Sequence, residues 1–323
     1  MPVLDARHDL AHPVEGDSAW SESYYFNGYD PVTDTGLFTR MAVRPNEGTL
    51  DVGLTVWLPG DELAWVHGVR EQHEMVDTGL EVGGVTYERV EPMRSWRITA
   101  DAEARVTDLR GAERRRTPLA VDLTFSSLAP AIGTDGQERE GAGASVETRK
   151  SVGKGHLEQP GRWTGTIEAD GVRHELADAR GNRDKSWGPR RWGGPRMWRW
   201  FSINLGDDVH FGGIRIGTDA GDLHRGWVWM DGAATSIARW DVRTELEDDG
   251  LTHRVSHVTA TDKAGRTHEL RGDLLRVAAA PARRGTVVNE GLARWSLGDR
   301  EGYGISEYLH QLDEAGRPVV PIE

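Results

Sequence analysis

The feature that most constrains this chain is a side-chain alternation of period two, repeated from end to end and broken by glycine-rich turns. Leu50, Val52, Leu54, Val56 and Leu58 alternate with Asp51, Gly53, Thr55 and Trp57, the pattern of a strand with one buried face. Leu119, Val121, Leu123 and Phe125 repeat it. The dipeptide Asp170-Gly171, which tolerates positive φ, joins two such runs, Arg162 to Glu168 and Val172 to Leu176, and predicts a tight hairpin. From Trp198 onward the sequence reads as a meander, with turns at Gly206-Asp207-Asp208, Gly221-Asp222 and Asp231-Gly232. Helical periodicity is confined to Ala233 to Trp240. Short strands with 40 glycines between them predict an all-β protein of sandwiches or barrels.

At 323 residues the chain exceeds the size at which one core usually stops growing, so two domains are expected. The boundary is placed near Asn182, giving domains 1–182 and 183–323, with Arg180 to Gly194 as the seam. Gly133 to Gly143 reads as a long exposed loop. Asn46-Glu47-Gly48 and Asn289-Glu290-Gly291 are a faint internal echo.

Composition narrows the functional classes. With no cysteine, disulfides, thiolate metal sites and cysteine nucleophiles are ruled out. The net charge of −13 opposes nucleic-acid binding, although a small anion in a local basic pocket remains compatible with it. Met1 to His12 lack an apolar signal region, and no run approaches the about 18 apolar residues that span a bilayer. A cytoplasmic protein, not integral to a membrane, is expected. No nucleotide, zincin or nucleophile-elbow motif occurs, and His253 and His257 lie about 13 Å apart on a strand. Neither a metal nor an organic cofactor is expected.

One window stands out. Arg180 to Arg199 holds six arginines and Lys185 against Asp184, a local charge of +6, and seven of the 13 tryptophans fall in it or just behind: Trp187, Trp192, Trp198, Trp200, Trp227, Trp229 and Trp240. Alternation sends Trp198, Trp200, Ser202 and Asn204 to one strand face and Arg199, Phe201, Ile203 and Leu205 to the other. Trp227 and Trp229 share a face on a later strand, so four indoles are expected to wall one cavity, with Arg183 and Arg190 beside them. Two readings of Arg183 and Asp184 stand side by side: a buried ion pair that holds domains together, or part of a ligand site. His156 and Glu158 share a strand face and form an acid–base candidate. Glu307 and Tyr308, and Tyr24, Tyr25 and Tyr29, are polar-tipped groups suited to a barrel mouth.

The string Asn182-Arg183-Asp184-Lys185-Ser186-Trp187-Gly188-Pro189-Arg190, then Trp198-Arg199-Trp200-Phe201-Ser202-Ile203-Asn204-Leu205, resembles the AttH-like and carotenoid hydratase (hydroxyneurosporene synthase) superfamily. Tyr24-Tyr25-Phe26-Asn27-Gly28-Tyr29-Asp30-Pro31 and Arg44-Pro45-Asn46-Glu47-Gly48 resemble its bacterial members of unassigned function. The resemblance implies two lipocalin-like antiparallel barrels packed side by side. It implies a cofactor-independent hydratase or dehydratase acting on a largely apolar, and by its basic surroundings anionic, isoprenoid, steroid or polyketide-like molecule. Asp184 stands at the family's acid, with Glu158, Glu307 and Asp231 in reserve, His156 as base, and Trp187, Trp198, Trp200, Trp227 and Trp229 as the wall. A non-catalytic carrier, and a pericyclase of the Diels–Alder type or an isomerase, are the alternatives.

Overall fold

A computed structural model describes residues 1–136, 153–191, 193–219, 221–283 and 285–323, with backbone alone for Ala280–Arg283. The part of the expected loop from 137 to 143, and Trp192, lie outside these residues. Gly133 itself belongs to a short strand.

The chain divides into two compact units, one built from Pro2–Arg139 with Gly153–Arg190, the other containing Arg191–Glu323. The first carries the strands β1 (Trp20–Asp30), β2 (Thr35–Arg44), β3 (Thr49–Leu58), β4 (Glu62–Glu71), β5 (Leu80–Val82), β6 (Val85–Glu91), β7 (Ser95–Asp108), β8 (Glu113–Ser127), β9 (Ile132–Thr134), β10 (Gly155–Ala169) and β11 (Val172–Pro189). They run in the order β4-β3-β2-β1-β11-β10-β8-β7-β6-β5, with β9 beside β10. A further β4–β7 pairing joins the ends of the first eight, so the sheet closes on itself and leaves fewer unpaired edges. Inside lie the alternating residues of β3, Leu50, Val52, Leu54 and Val56, against Phe26, Tyr87, Trp96, Phe125 and Trp163. Phe26 sits 5.4 to 5.8 Å, centroid to centroid, from the other four aromatic rings, the spacing of edge-to-face packing.

The second unit holds β12 (Met197–Asn204), β13 (His210–Thr218), β14 (Gly221–Met230), β15 (Ala233–Leu246), β16 (His253–Asp262), β17 (Thr267–Arg283), β18 (Thr286–Leu297) and β19 (Arg300–Gln311), joined in sequence order into a closed antiparallel barrel. Phe201, Trp240 and Trp295 fill its centre. Gly226 is needed there, since a Cβ would stand 2.7 Å from the Trp240 ring.

The all-β class is therefore as the alternation indicates. Asp170-Gly171 and Asp231-Gly232 both take positive φ at two successive residues (54° and 72°, 56° and 73°), the geometry of tight hairpins that match strand twist. Three local readings are corrected. Ala233 to Trp240 is strand, because pairing of β15 with β14 and β16 outweighs a weak helical preference. Asn182 and the start of the expected seam lie within β11, at the middle of the first sheet between β1 and β10. The tripeptide echo is not structural either: Asn46 and Glu47 lie in a short 3-10 turn, whereas Asn289–Gly291 lie inside β18.

Candidate functional site

The basic string falls on β11, and strand alternation splits it between two faces. Arg183, Lys185 and Trp187 share the face of their β1 partners Phe26, Tyr24 and Glu22, which includes the first core. There the chain's first segment crosses them. Arg183 Nη1 lies 2.7 Å from Asp9 Oδ1, Nη2 donates to Asp9 Oδ2 at 3.2 Å, and Nε donates to Gln159 Oε1 at 2.8 Å, all buried. Burial opposes the Asp9 carboxylate, but the charge and hydrogen bonds of Arg183 and the Met93 backbone hold its pKa below the ordinary range. Lys185 Nζ lies 2.5 Å from Glu22 and donates to the carbonyls of His8 and Leu10. Trp187 stacks on His12 at 3.8 Å. Arg183 and Trp187, expected to bind substrate, instead anchor the segment Ala6 to His12, and the expected Arg183–Asp184 pair does not form. Asp9 and Glu22 escaped sequence reasoning because they lie 174 and 163 residues from their partners Arg183 and Lys185.

The other face gathers what remains. Across β2, β1, β11 and β10, Arg40 pairs in register with Tyr25, Tyr25 with Asp184, and Asp184 with Glu158. His156 Nε2 stands 3.5 Å from Asp184 Oδ2. Glu158 and Tyr25 are buried, while His156 and Asp184 are partly so. Burial works against a charged imidazole, yet the bond and charge of Asp184 and the charge of Glu158 prevail and raise the His156 pKa. Arg40 is drawn down to about 10 by burial, with Asp51 and Asp184 opposing the fall and Arg44 and Arg190 adding to it; it stays cationic near neutrality. Asn182, on this face too, is 2% exposed, and neither its Oδ1 nor its Nδ2 has a hydrogen-bond partner among the described residues. The sequence marks Asn182 only as a boundary and as the start of the resembling string, although alternation puts it on the face of Asp184; Arg40 is not marked, because it joins that face through the pairing of β2 and β11 with β1. The cluster can hold a proton on His156, accept one on a carboxylate, and bind a polar group of a ligand.

Arg190 follows β11 at the end of the first unit, and the other remaining candidates belong to the second. Trp198, Trp200, Trp227 and Trp229 do share one face, with Ser202 and Asn204, but on β12 and β14 with β13 between them. That face is opposite to Phe201, Ile203 and Leu205, which form the barrel core, so the indoles do not line the barrel interior. Glu307, in register with Trp200, accepts a hydrogen bond from Trp198 Nε1. Tyr308 is inside the barrel, against Arg199 and His253. Asp231 is an exposed turn residue. His253 and His257 are separately engaged, by the Ser306 carbonyl and by Glu245. Among the described residues no helix is long and apolar enough to cross a membrane.

Comparison with known proteins bears on the whole chain. The model of a family described as a domain of unknown function, DUF7064, matches residues 5–312. The fold is shared with an AttH-type protein from Nitrosomonas europaea (TM-score 0.65, 14% identity, 90% of this chain and 92% of that one). It is shared with kievitone hydratase from Nectria haematococca (0.57, 12%, 89% and 88%) and with CghA (0.55, 12%, 90% and 88%). No curated protein matches in sequence. The AttH-like architecture implied by the string around Asp184 is thus the one the chain adopts.

Proposed function

We infer function from one premise: the chain belongs to the DUF7064 family, whose domain is of unknown function. The reading is a cofactor-independent enzyme that removes water from, or adds it to, a largely apolar isoprenoid, steroid or polyketide-like molecule. The observation that carries it is the His156–Asp184 pair with Glu158 directly across the ladder. Fold likeness to a protein named as a hydratase supports the reading without deciding the substrate.

In the dehydration direction the His156 imidazolium gives its proton to the departing hydroxyl, which leaves as water with the C–O electron pair. Glu158 takes the proton from the adjacent carbon, and that C–H pair becomes the double bond. His156 and Glu158 lie on one strand face, roughly 7 Å apart along the backbone, a spacing that suits two neighbouring carbons of one substrate. Asp184 keeps the imidazole oriented and charged. Arg40 favours a substrate with a carbonyl or carboxylate close to the reacting bond. Hydration is the same path reversed. A cysteine-free chain suits the reducing cytoplasm, the location this reading takes.

Turnover in 18O-labelled water tests the proposal, with prenylated phenols and isoprenoid alkenes as substrates. Label should enter the product, and His156→Gln should lower the rate by about 10²-fold or more while ligand still quenches tryptophan fluorescence. A second reading, a carrier, draws on the four indoles that share one face of the second barrel. It takes over if those molecules are bound and recovered without label. Recovery as a rearranged isomer without label marks a pericyclase or isomerase instead.

A further inference from the structure

The second barrel encloses a cation. Arg199 lies on the face of β12 that carries Phe201 and Ile203, is 3% exposed, and stacks over the Tyr308 ring at 4.1 Å. Among the described residues its guanidinium makes one hydrogen bond, from Nη1 to the Trp198 carbonyl at 2.9 Å, and pairs with no carboxylate. The carboxylates whose charge reaches it, Glu323 and Asp222, are both bound by Arg215. A guanidinium taken out of water without a counter-charge is costly, and a cation–π contact offsets only part of that cost.

A second observation points to the same place. His310, two residues along β19 from Tyr308 and on its face, is 1% exposed, and neither ring nitrogen has a hydrogen-bond partner among the described residues. Its ring centroid is 6.1 Å from that of Tyr308. His253 stacks on Tyr308 at 4.0 Å, and its Nδ1 is unpartnered too. The Tyr308 hydroxyl meets Thr244 at 2.8 Å and Ser256 at 3.1 Å. Burial, reinforced by Arg199, pushes both histidines down to about 3, so each stays neutral; the single N–H of His253 goes to the Ser306 carbonyl, whereas that of His310 is left to give. Native interiors rarely leave so many polar groups unmatched.

We propose that the interior of the second barrel is a carboxylate site, in which the Arg199 guanidinium and the His310 N–H hold one carboxylate group. A single unpaired cation calls for a monoanion, and the planar guanidinium fork matches a planar carboxylate. A dianionic phosphate would need a second cation, which Arg215 does not supply because Glu323 and Asp222 already occupy it. The carboxylate belongs either to a small free acid or to the head of a longer apolar one. This site is separate from the cluster around Asp184 and does not depend on the reaction proposed for it.

Calorimetric titration of the full chain with sodium acetate, sodium dodecanoate and dodecanol tests the site. One of the carboxylates should bind at one equivalent and the alcohol should not. Arg199→Met should weaken binding at least 30-fold, and Arg199→Lys by less. Acetate alone binding assigns a small acid; tighter dodecanoate binding assigns the longer one. Should Arg199→Met fail to fold, NMR contacts between the 13C-carboxylate ligand and the His310 or Tyr308 ring protons of the unmodified protein decide instead. Absence of binding by both acids, equal affinity in Arg199→Met, or no ring contact overturns the proposal.

Discussion

Arg183 and Asp184 are neighbours in sequence and serve opposite faces of one strand: Arg183 closes on Asp9 at 2.7 Å, while Asp184 stands 3.5 Å from His156. One side of β11 holds the chain's first segment, and the other carries the cluster proposed to act on the substrate. The two sides therefore make separable demands on experiment.

On the chemical side, Asp184→Asn removes the hydrogen bond and charge that hold the His156 proton, so the imidazole pKa should fall. If His156 acts as the acid, dehydration is fastest where it is protonated, and the rate declines as pH rises through its raised pKa. In Asp184→Asn that limb should move to lower pH, and 15N-NMR titration of His156 should move with it. The stability carried by the raised pKa is fully present below the unfolded value of about 6.5 and is lost as pH rises through the folded one. An unmoved limb would assign the acid to another group.

On the structural side, Asp9→Asn leaves the buried Arg183 charge without its partner. The expected loss is about 3–5 kcal/mol in urea denaturation, and the double variant Asp9→Asn/Arg183→Met should regain much of it. The depressed Asp9 pKa adds a pH signature: its contribution is complete above the unfolded value of about 3.9 and disappears as pH falls through the folded one. A wild-type-like midpoint in Asp9→Asn would remove the anchoring role.

Alternation alone reveals strands such as Leu50 to Leu58, where one face is apolar and the other is not. It fails at β1 and β12, buried along their whole lengths on both faces. At β12 the sequence separates Trp198 and Trp200 from Phe201 and Ile203, but nothing local tells which set is the barrel core, because both are aromatic or apolar. At β11, Asn182 to Ser186 is polar on both faces, so hydrophobicity cannot say which side is inside. That choice is made by Asp9 and Glu22, remote residues whose carboxylates claim Arg183 and Lys185. The grouping of His156, Glu158 and Asp184 was half legible: the first two share a face by spacing, whereas Asp184 joins them only because a bulge between Trp163 and Gly165 shifts the register of the Asp170-Gly171 hairpin by one residue.

The anchor can be disturbed without touching a charge. A Cβ at Gly155 would lie 2.0 Å from the Trp187 indole, which stacks on His12. Gly155→Ala should displace that ring and cost about 1–3 kcal/mol by overpacking. Near-UV circular dichroism and the ring-current shift of the His12 protons would report the loss of the stack. A fully retained stack would mean that the backbone of β10 yields in place of the ring.

Asn182 separates a ligand contact from a structural one. Its carboxamide is buried on the face of Asp184 without a hydrogen bond to lose among the described residues, whereas its backbone N–H donates to Asn27 Oδ1 at 3.1 Å and survives substitution. A side-chain amide that stabilised the fold would cost about 1–3 kcal/mol when removed, by leaving its partner unsatisfied. Here Asn182→Leu should leave the denaturation midpoint unchanged or raise it, because an unmatched buried amide is replaced by an apolar group of similar size. If the amide binds a polar group of the substrate, the same variant should raise KM several-fold with a smaller effect on kcat. Loss of stability with unaltered kinetics would instead make Asn182 a structural residue.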